Sequence, residues 1–297
     1  NKHIFKYYEK YIDIIYDESK SKFFFDNLYK FRSWYNVTFD IKNKFIPLSH
    51  PAAVEIQQEW NKKNKSPLFK LSDDDKLNGK KILKQMGLPE NSWFVTIHVR
   101  DSKFKGEEGF RDSKIQDFYD SFDFIKNQGG YIIRMGDKNL TPLPNMKNVI
   151  DYAISQHKSE FMDIFLCASA KFMVGTSSGL SAISFIFGTP VAMTNYLPLA
   201  TTYLSKKDLF IPRLMREIKT KKILNFKQLT SIPYTIGITD GMYKNLMKVE
   251  TIPNTANEIT ELVTEMYEKI TNNLIHTNEE KKFIKSFFEL TKSNDTL

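Results

Sequence analysis

Apolar and polar positions alternate most regularly between residues 93 and 196. Short apolar runs rich in Val, Ile, Phe and Met predict buried strands over 93–99, 131–135, 149–152, 172–175 and 190–194. Between them, longer amphipathic segments predict helices over 114–127, 159–169 and 178–188. Strands that alternate with helices favour a parallel, doubly wound α/β sheet with right-handed crossovers.

Local signals predict where these helices begin. Ser159 and Ser178 stand at N-cap positions, directly before helical segments. For the helix over 114–127, we expect Asp112 and Ser113 to cap the first turn and Gln116 to complete a capping box.

The flanking regions are less regular. A strand over 11–16, helices over 51–61 and 73–86, and C-terminal helices over 255–270 and 279–291 are the elements predicted there. Ser72 is followed by three aspartates, which resemble a metal-binding DxD motif. Acidic residues are also common in the first turn of a helix, where they interact favourably with the positive end of its dipole, and we favour that interpretation.

Polar residues and a glycine follow three of the predicted strands. They are His98, Arg100, Asp101 and Ser102 at the first strand, Arg134, Gly136 and Asp137 at the second, and Thr176, Ser177 and Ser178 at the fourth. The carboxyl ends of parallel strands share one edge, where open α/β sheets keep their ligand sites. The sequence therefore predicts one crevice lined by these residues.

Their chemistry suits a phosphorylated ligand. Arg100 offers a planar, permanently charged fork that matches a diphosphate. The turn Thr176–Ser178 brings hydroxyls and helix-start N–H groups that can hold a phosphate, although a plain serine N-cap explains the same residues. Arg134 is costly inside an apolar strand unless it pairs with Asp137, Asp151 or a phosphate.

Further residues near these strand ends have two interpretations each. Asp163 stands in an otherwise apolar helix and either satisfies helix N–H groups or binds a nucleotide base or ribose. His98 is a general base or a core histidine, and its position on the same face as Arg100 favours the site. Arg111 is a second candidate for phosphate contact, and Asp112 is a helix cap.

Composition limits the classes of function. The 297 residues carry a formal net charge of +8, which fits nucleic acid, an anionic membrane surface or phosphorylated substrates as partners. No stripe of basic and aromatic residues typical of RNA binding is present, so we expect no nucleic-acid partner. The single cysteine, Cys167, lies in an apolar helical segment, which predicts a buried thiol and fits a reducing, cytoplasmic location.

Signatures of common nucleotide enzymes are missing. The sequence contains no GxGxxG after a strand, no GxxxxGK[ST] and no HExxH. A dinucleotide-dependent dehydrogenase and a P-loop kinase are therefore disfavoured. No uncharged apolar run reaches 18 residues, so we expect no membrane span.

The motifs HVRDS, RMGD and GTSSGLS, with the helix over 159–169, occur in this order within 93–200. Together they resemble GT-B-type glycosyltransferases of a bacterial family from surface-polysaccharide gene clusters. More distantly, His98-Val99-Arg100 is similar to the His-x-Arg motif of the fucosyltransferase superfamily. Asp101 follows Arg100 where many fucosyltransferases have a basic residue, which leaves fucose in doubt as the donor sugar.

The resemblance implies a fold, a reaction and partners. It implies a GT-B-like architecture with an acceptor-side domain, complete or partial, over 1–90, a Rossmann-like nucleotide-sugar domain over 91–230 and C-terminal helices over 231–297 that pack back across the domains. It implies metal-independent, inverting transfer of a sugar from a nucleotide-sugar donor to a glycan or lipid-linked acceptor, without a cofactor, at the cytoplasmic face of the inner membrane or free in the cytoplasm. A GDP-sugar is favoured over a UDP- or CMP-sugar.

The resemblance also assigns roles to residues. Arg100 would hold the donor diphosphate and help it to leave, Asp163 would contact the base or ribose, and the hydroxyls of Thr176, Ser177 and Ser178 would lie at the pyrophosphate. His98 and Asp101 are candidates for the base that deprotonates the acceptor. The alternative is a module that binds a nucleotide sugar without turnover or an inactive partner of a glycosyltransferase.

Overall fold

We describe the protein from a computed structural model. The structure describes residues 2–11, 19, 38–41, 44–47, 49–101, 109–197, 199, 205–231, 233–234 and 240–292. Of the predicted strand over 11–16, Tyr11 alone lies within these residues. Ser102, a candidate residue for binding the nucleotide sugar, lies outside them.

The helices and strands follow one another along the chain as follows. The first part holds α1 (Phe5–Tyr8), β1 (Thr38–Ile41), β2 (Lys44–Pro47), α2 (Ser49–Lys62) and α3 (Asp73–Gln85). The central part holds β3 (Phe94–His98), α4 (Tyr119–Asn127), β4 (Tyr131–Arg134), β5 (Val149–Ile150), α5 (Glu160–Ser169), β6 (Phe172–Gly175), α6 (Gly179–Phe187) and β7 (Val191–Tyr196). The last part holds β8 (Leu209–Pro212), β9 (Leu214–Glu217), α7 (Phe226–Leu229), β10 (Val249–Ile252), α8 (Ala256–Ile270) and α9 (Asn278–Lys292).

Six parallel strands form the main sheet, in the order β5-β4-β3-β6-β7-β8. Numbered within the sheet, this is the order 3-2-1-4-5-6 of a doubly wound fold. From β3 the chain adds β4 and β5 toward one edge of the sheet, and it then adds β6, β7 and β8 on the other side of β3. The strand order therefore reverses between the neighbours β3 and β6. The predicted α/β class and parallel, doubly wound sheet are confirmed.

Helices cover both faces of this sheet because successive strand side chains point to opposite sides. Val95 and Ile97 in β3 are fully buried and pack in a cluster with residues of α4 and α8. Phe94, on the other face, packs in a cluster with residues of α3 and α5. Burial of each large side chain stabilises the fold by roughly 1.5–3 kcal/mol, which explains why these strands read as continuous apolar runs.

Most helix starts follow the sequence signals. The hydroxyls of Ser72, Ser159 and Ser178 each accept a hydrogen bond from the backbone N–H three residues later, at 3.2–3.3 Å. Ser72 thus caps α3, as predicted for the helix that carries the aspartate triplet. Asp75 of that triplet accepts a hydrogen bond from the Tyr7 hydroxyl and pairs with Lys6.

The capping box predicted over residues 113–116 is wrong. A 3₁₀ turn, Ile115–Phe118, begins there, and Lys114 at its start provides no side-chain cap. Ser113 instead donates its N–H to the carbonyl of Arg100 at 3.0 Å, and the Asp112 carboxylate accepts from the N–H of Gly109 at 2.9 Å. Ser113 and Asp112 thus hold the segment 109–113 beside Arg100, just after the end of β3. A local sequence pattern does not predict such contacts between residues that are distant in the chain.

Smaller sheets lie outside the main one. β1 pairs with β2 and β9 pairs with β10, both antiparallel. The sequence patterns missed β8, β9 and β10, and the domain boundaries at 90 and 230 stay predictions. Cys167 is buried as predicted, and burial raises the pKa of its thiol to about 12. Within the described residues, no helix combines the length and apolar character needed to cross a bilayer.

Candidate functional site

The ends of β3 and β6 meet at the point where the strand order reverses. The register pairs His98 with Gly175. Beyond the strands, Thr176 donates its N–H to the carbonyl of His98, and Arg100 donates its N–H to the Thr176 hydroxyl, both at 3.1 Å. The two predicted motifs therefore share one rim of the sheet, at the position where doubly wound folds bind ligands.

Gly175 allows this close approach. A Cβ atom at this position would lie 2.2 Å from the carbonyl oxygen of His98, which is backbone and cannot rotate away. Only glycine lets the two strand ends come together here.

His98, the last residue of β3, has an imidazole that is largely removed from solvent. Burial, followed by the charges of Arg100, Lys158 and Arg134, lowers the pKa of its imidazole to about 4. Its Nδ1 is buried and makes no hydrogen bond in the part of the chain that the structure describes. The ring is therefore neutral at neutral pH.

Arg100 is held from the side by Asp112. Its Nε lies 3.4 Å from Asp112 Oδ1, and 38% of the Arg100 side chain is exposed. Exposed pairs of this kind contribute at most about 1 kcal/mol, so the guanidinium can exchange this partner for a ligand. Burial and the neighbouring charge of Arg100 lower the pKa of Arg111, which places a second guanidinium close by.

The sequence patterns missed Arg213, which fixes this wall of the site. Its buried guanidinium donates to the carbonyl of Phe110 and, at 2.8 Å, to the carbonyl of Asp112. Arg213 thereby anchors the segment that carries Arg111 and Asp112. The sequence signal for this role was the position of Arg213 within the apolar stretch 209–215, since a buried charge needs polar partners.

The turn before α6 combines capping with open donors. Ser178 and Ser181 form a complete capping box, and the Thr176 hydroxyl is taken by Arg100, so the N-cap interpretation is confirmed. The N–H groups of Gly179 and Leu180 open the helix and, within the described residues, make no hydrogen bond. These donors and the Ser177 hydroxyl remain for a ligand. Direct ligand contacts by Thr176, Ser177 and Ser178 stay predictions.

Asp163 does not satisfy helix N–H groups, since Ser159 does so. Its carboxylate accepts a hydrogen bond from the Tyr152 hydroxyl at 2.9 Å and pairs with Lys158 at 3.1 Å. Burial, followed by the charge of Asp163, raises the pKa of Tyr152. The interpretation of Asp163 as a cap is wrong, and its contact with a base or ribose stays a prediction.

The polar residues at the end of β4 make contacts within the protein that support its structure. Arg134 is buried and pairs with Asp151 at 3.1 Å, and it also donates to the carbonyl of Thr141 at 2.8 Å. Of its predicted partners, Asp151 is the one observed. Asp137 accepts hydrogen bonds from the backbone and side chain of Asn139, each at 2.9 Å. Gly136 adopts φ +148°, a conformation that favours glycine. Ligand contacts by Arg134, Gly136 and Asp137 stay predictions.

Asp101 lines a cleft rather than the His98 side of the sheet. The cleft has a volume of about 840 Å³ and lies between segments of residues 109–119, 141–144 and 240–255. Asp112, Arg134 and Asp240 also line it. Since Asp101 follows Arg100 directly, the cleft and the crevice at the strand reversal are neighbours.

Comparison with known proteins gives matches of structure alone. No protein-family model and no curated protein sequence matches the chain. The structure is similar to a glycosyl transferase family 9 structure from Veillonella parvula DSM 2008, with a TM-score of 0.42 and 9% identity over 67% of this chain and 53% of that chain. It is also similar to the dodecameric iron-containing heptosyltransferase TibC in complex with ADP-D-beta-D-heptose, with a TM-score of 0.34 and 14% identity over 61% of this chain and 46% of that chain. The chain thus spans about half the length of each of these solved structures.

The geometry defines what the crevice can do chemically. Arg100 supplies positive charge, and the start of α6 supplies the N–H groups of Gly179 and Leu180, which make no hydrogen bond within the described residues. Such a set stabilises an anion with several oxygens, including one that forms as a bond to phosphate breaks.

Proposed function

We propose that this protein is a glycosyltransferase that moves a sugar from a nucleotide-sugar donor to a hydroxyl group of a glycan or lipid-linked acceptor. One observation carries the proposal. Where the strand order reverses, the Arg100 N–H is hydrogen-bonded to Thr176, which brings this cationic residue beside the N–H groups that open α6. The order of the HVRDS, RMGD and GTSSGLS motifs along the chain supports it.

The donor diphosphate would bind between Arg100 and the start of α6. Arg100 would leave its exposed pair with Asp112, and the N–H groups of Gly179 and Leu180 would donate to phosphate oxygens. Asp163 would meet the base or ribose, with its orientation held by Tyr152 and Lys158.

The reaction breaks the bond between the anomeric carbon of the sugar and the diphosphate oxygen. The electron pair leaves with the nucleoside diphosphate, whose growing negative charge Arg100 stabilises. The acceptor oxygen forms the new bond and gives its proton to a base. Bound diphosphate would raise the pKa of His98 by favouring the imidazolium, which makes His98 one candidate base. Asp101, in the neighbouring cleft, is the other.

The decisive experiment compares Arg100→Ala with the wild-type protein. The wild type should transfer or hydrolyse the sugar of at least one GDP- or UDP-sugar from a panel that also contains CMP-sugars, whose leaving group carries a single phosphate. Arg100→Ala should lower that rate on the order of 10²–10³-fold. Arg216→Ala is the matched control, since Arg216 pairs with Glu250 outside the crevice. Wild-type rates in Arg100→Ala would refute the proposal.

A second candidate is a module that binds a nucleotide sugar without turnover. The low pKa of His98, about 4, favours it because a weakly basic imidazole removes a hydroxyl proton poorly. Nucleoside diphosphate binding that is lost in Arg100→Ala, together with no turnover of any donor in the panel, would select the module.

A further inference from the structure

An exposed apolar surface surrounds the tip of the small sheet formed by β9 and β10. Ile218, Ile223 and Leu246 are 40%, 52% and 69% exposed. Ile218 follows β9 and donates its N–H to the carbonyl of Lys248, while Ile223 pairs with Arg216 of β9. These contacts bring the segments 218–223 and 246–248 together, and we call this surface the β9–β10 tip.

The core beneath the tip holds these side chains outward. Leu224 and Met247 are buried in one cluster with Met215 and Val249. Their sequence neighbours Ile223 and Leu246 are exposed. Large apolar side chains on well-anchored segments are not a sign of loose packing, and such patches mark interaction sites.

Lysines surround the apolar side chains of the tip. Lys219, Lys222, Lys244 and Lys248 are exposed and form no ion pair with any residue that the structure describes. Lys221 and Arg216 share Glu250, each at 2.9 Å. Glu217 is the one acidic side chain within residues 214–224. Basic side chains with apolar ones between them match the interface of a bilayer that carries negative charge.

We propose that the β9–β10 tip docks the protein on a membrane surface that contains anionic lipids. Ile218, Ile223 and Leu246 enter the region between headgroups and acyl chains, and the four lysines lie over the lipid phosphates with their stems along the apolar side chains. The net charge of +8 strengthens the attraction. This proposal does not depend on sugar transfer, since none of these residues belongs to the diphosphate crevice, although Lys244 also lines the cleft that contains Asp101.

The test is co-sedimentation of the full chain with lipid vesicles. The protein should bind vesicles of phosphatidylcholine and phosphatidylglycerol in equal parts, and binding should fall with added salt. Vesicles of phosphatidylcholine alone should bind it weakly. The double variant Ile223→Ser with Leu246→Ser should weaken binding at least about tenfold. Lys→Gln changes at 219, 222, 244 and 248 should each weaken it about fivefold.

Leu77→Ser is the matched control, because Leu77 is 74% exposed beside lysines on helix α3, which packs in a different core cluster from the tip. It should bind vesicles like the wild type, and circular dichroism should show every variant folded. Absence of binding to the anionic vesicles would overturn the proposal, as would equal losses in Leu77→Ser and the double variant. Tight binding to duplex DNA that the double variant retains would assign the lysines to nucleic acid and would also overturn it.

Discussion

At the scale of single residues, the site depends on charged side chains that distant residues hold in place. Burial, followed by the charges of Arg100, Lys158 and Arg134, lowers the pKa of His98. Each of these cations is itself held by a carboxylate, that of Asp112, Asp163 and Asp151 respectively. Arg100 is oriented by Asp112, whose backbone Arg213 holds in place. Arg100 is therefore held at the rim of the crevice before a ligand binds, and an anion needs only to replace its exposed pair with Asp112.

The neutral state of His98 predicts a pH dependence of stability. In the unfolded chain the imidazole titrates near pH 6.5, whereas in the folded protein its pKa is about 4. Between these values the unfolded state binds more protons, so stability is full above pH 6.5 and falls as pH decreases toward 4. The loss should approach about 3 kcal/mol. Urea denaturation at pH 7 and pH 4 should show this loss in the wild type and a smaller one in His98→Gln; identical losses would contradict a buried neutral ring.

At the scale of elements, two glycines allow neighbouring elements to pack closely, and the two contacts have different consequences. Gly175 lets the end of β6 meet the His98 carbonyl, and Gly79 lets α3 lie against the ring of Phe165 in α5. A Cβ at either glycine would come within 2.2 Å of its neighbour. One contact lies in the crevice and the other lies in the core beside it. Substitution of each glycine in turn therefore distinguishes an effect on stability alone from an effect on ligand binding.

Gly175→Ala should therefore damage both stability and binding. We expect a loss of about 3 kcal/mol in unfolding free energy from overpacking and at least about tenfold weaker binding of a nucleoside diphosphate by calorimetry. Gly79→Ala should lower stability while leaving the dissociation constant within about twofold of the wild type. If both variants weaken binding alike, the crevice at the strand reversal is not the nucleotide site.

At the scale of the whole molecule, the six-stranded sheet links the ligand site to global stability. The strands that end in the crevice also carry the core, with Ile97 and Val174 fully buried beneath the site. A ligand that binds only the folded chain must stabilise the entire domain.

A nucleoside diphosphate should accordingly raise the melting temperature. At about 100 times its dissociation constant, it should add about 2.7 kcal/mol, which corresponds to roughly 4 °C for a chain of 297 residues. Thermal denaturation with GDP, UDP and CDP should show this rise for at least one of them, and the matching nucleoside should give little. The rise should disappear in Arg100→Ala; a rise that persists there would place the nucleotide elsewhere.

The sequence alone determined the local structure and the chemistry available to the site. Apolar runs predicted β3, β4, β6 and β7, serines predicted the caps of α5 and α6, and the positions of His98, Arg100 and Thr176 at strand ends predicted that they share one rim. These features depend on residues a few positions apart and on the side-chain periods of strands and helices, so a single sequence carries them.

Only the tertiary structure decided the partners. Arg134 pairs with Asp151, Asp163 with Tyr152 and Lys158, and Arg213 with a carbonyl 101 residues away in the chain. The same packing turned Ser113 from a cap into a support for Arg100, and it paired the short strands β8 and β10, which have no strong pattern of their own. Such choices depend on which distant groups the sheet brings within hydrogen-bond reach of a buried charge, and no local sequence pattern specifies that distance.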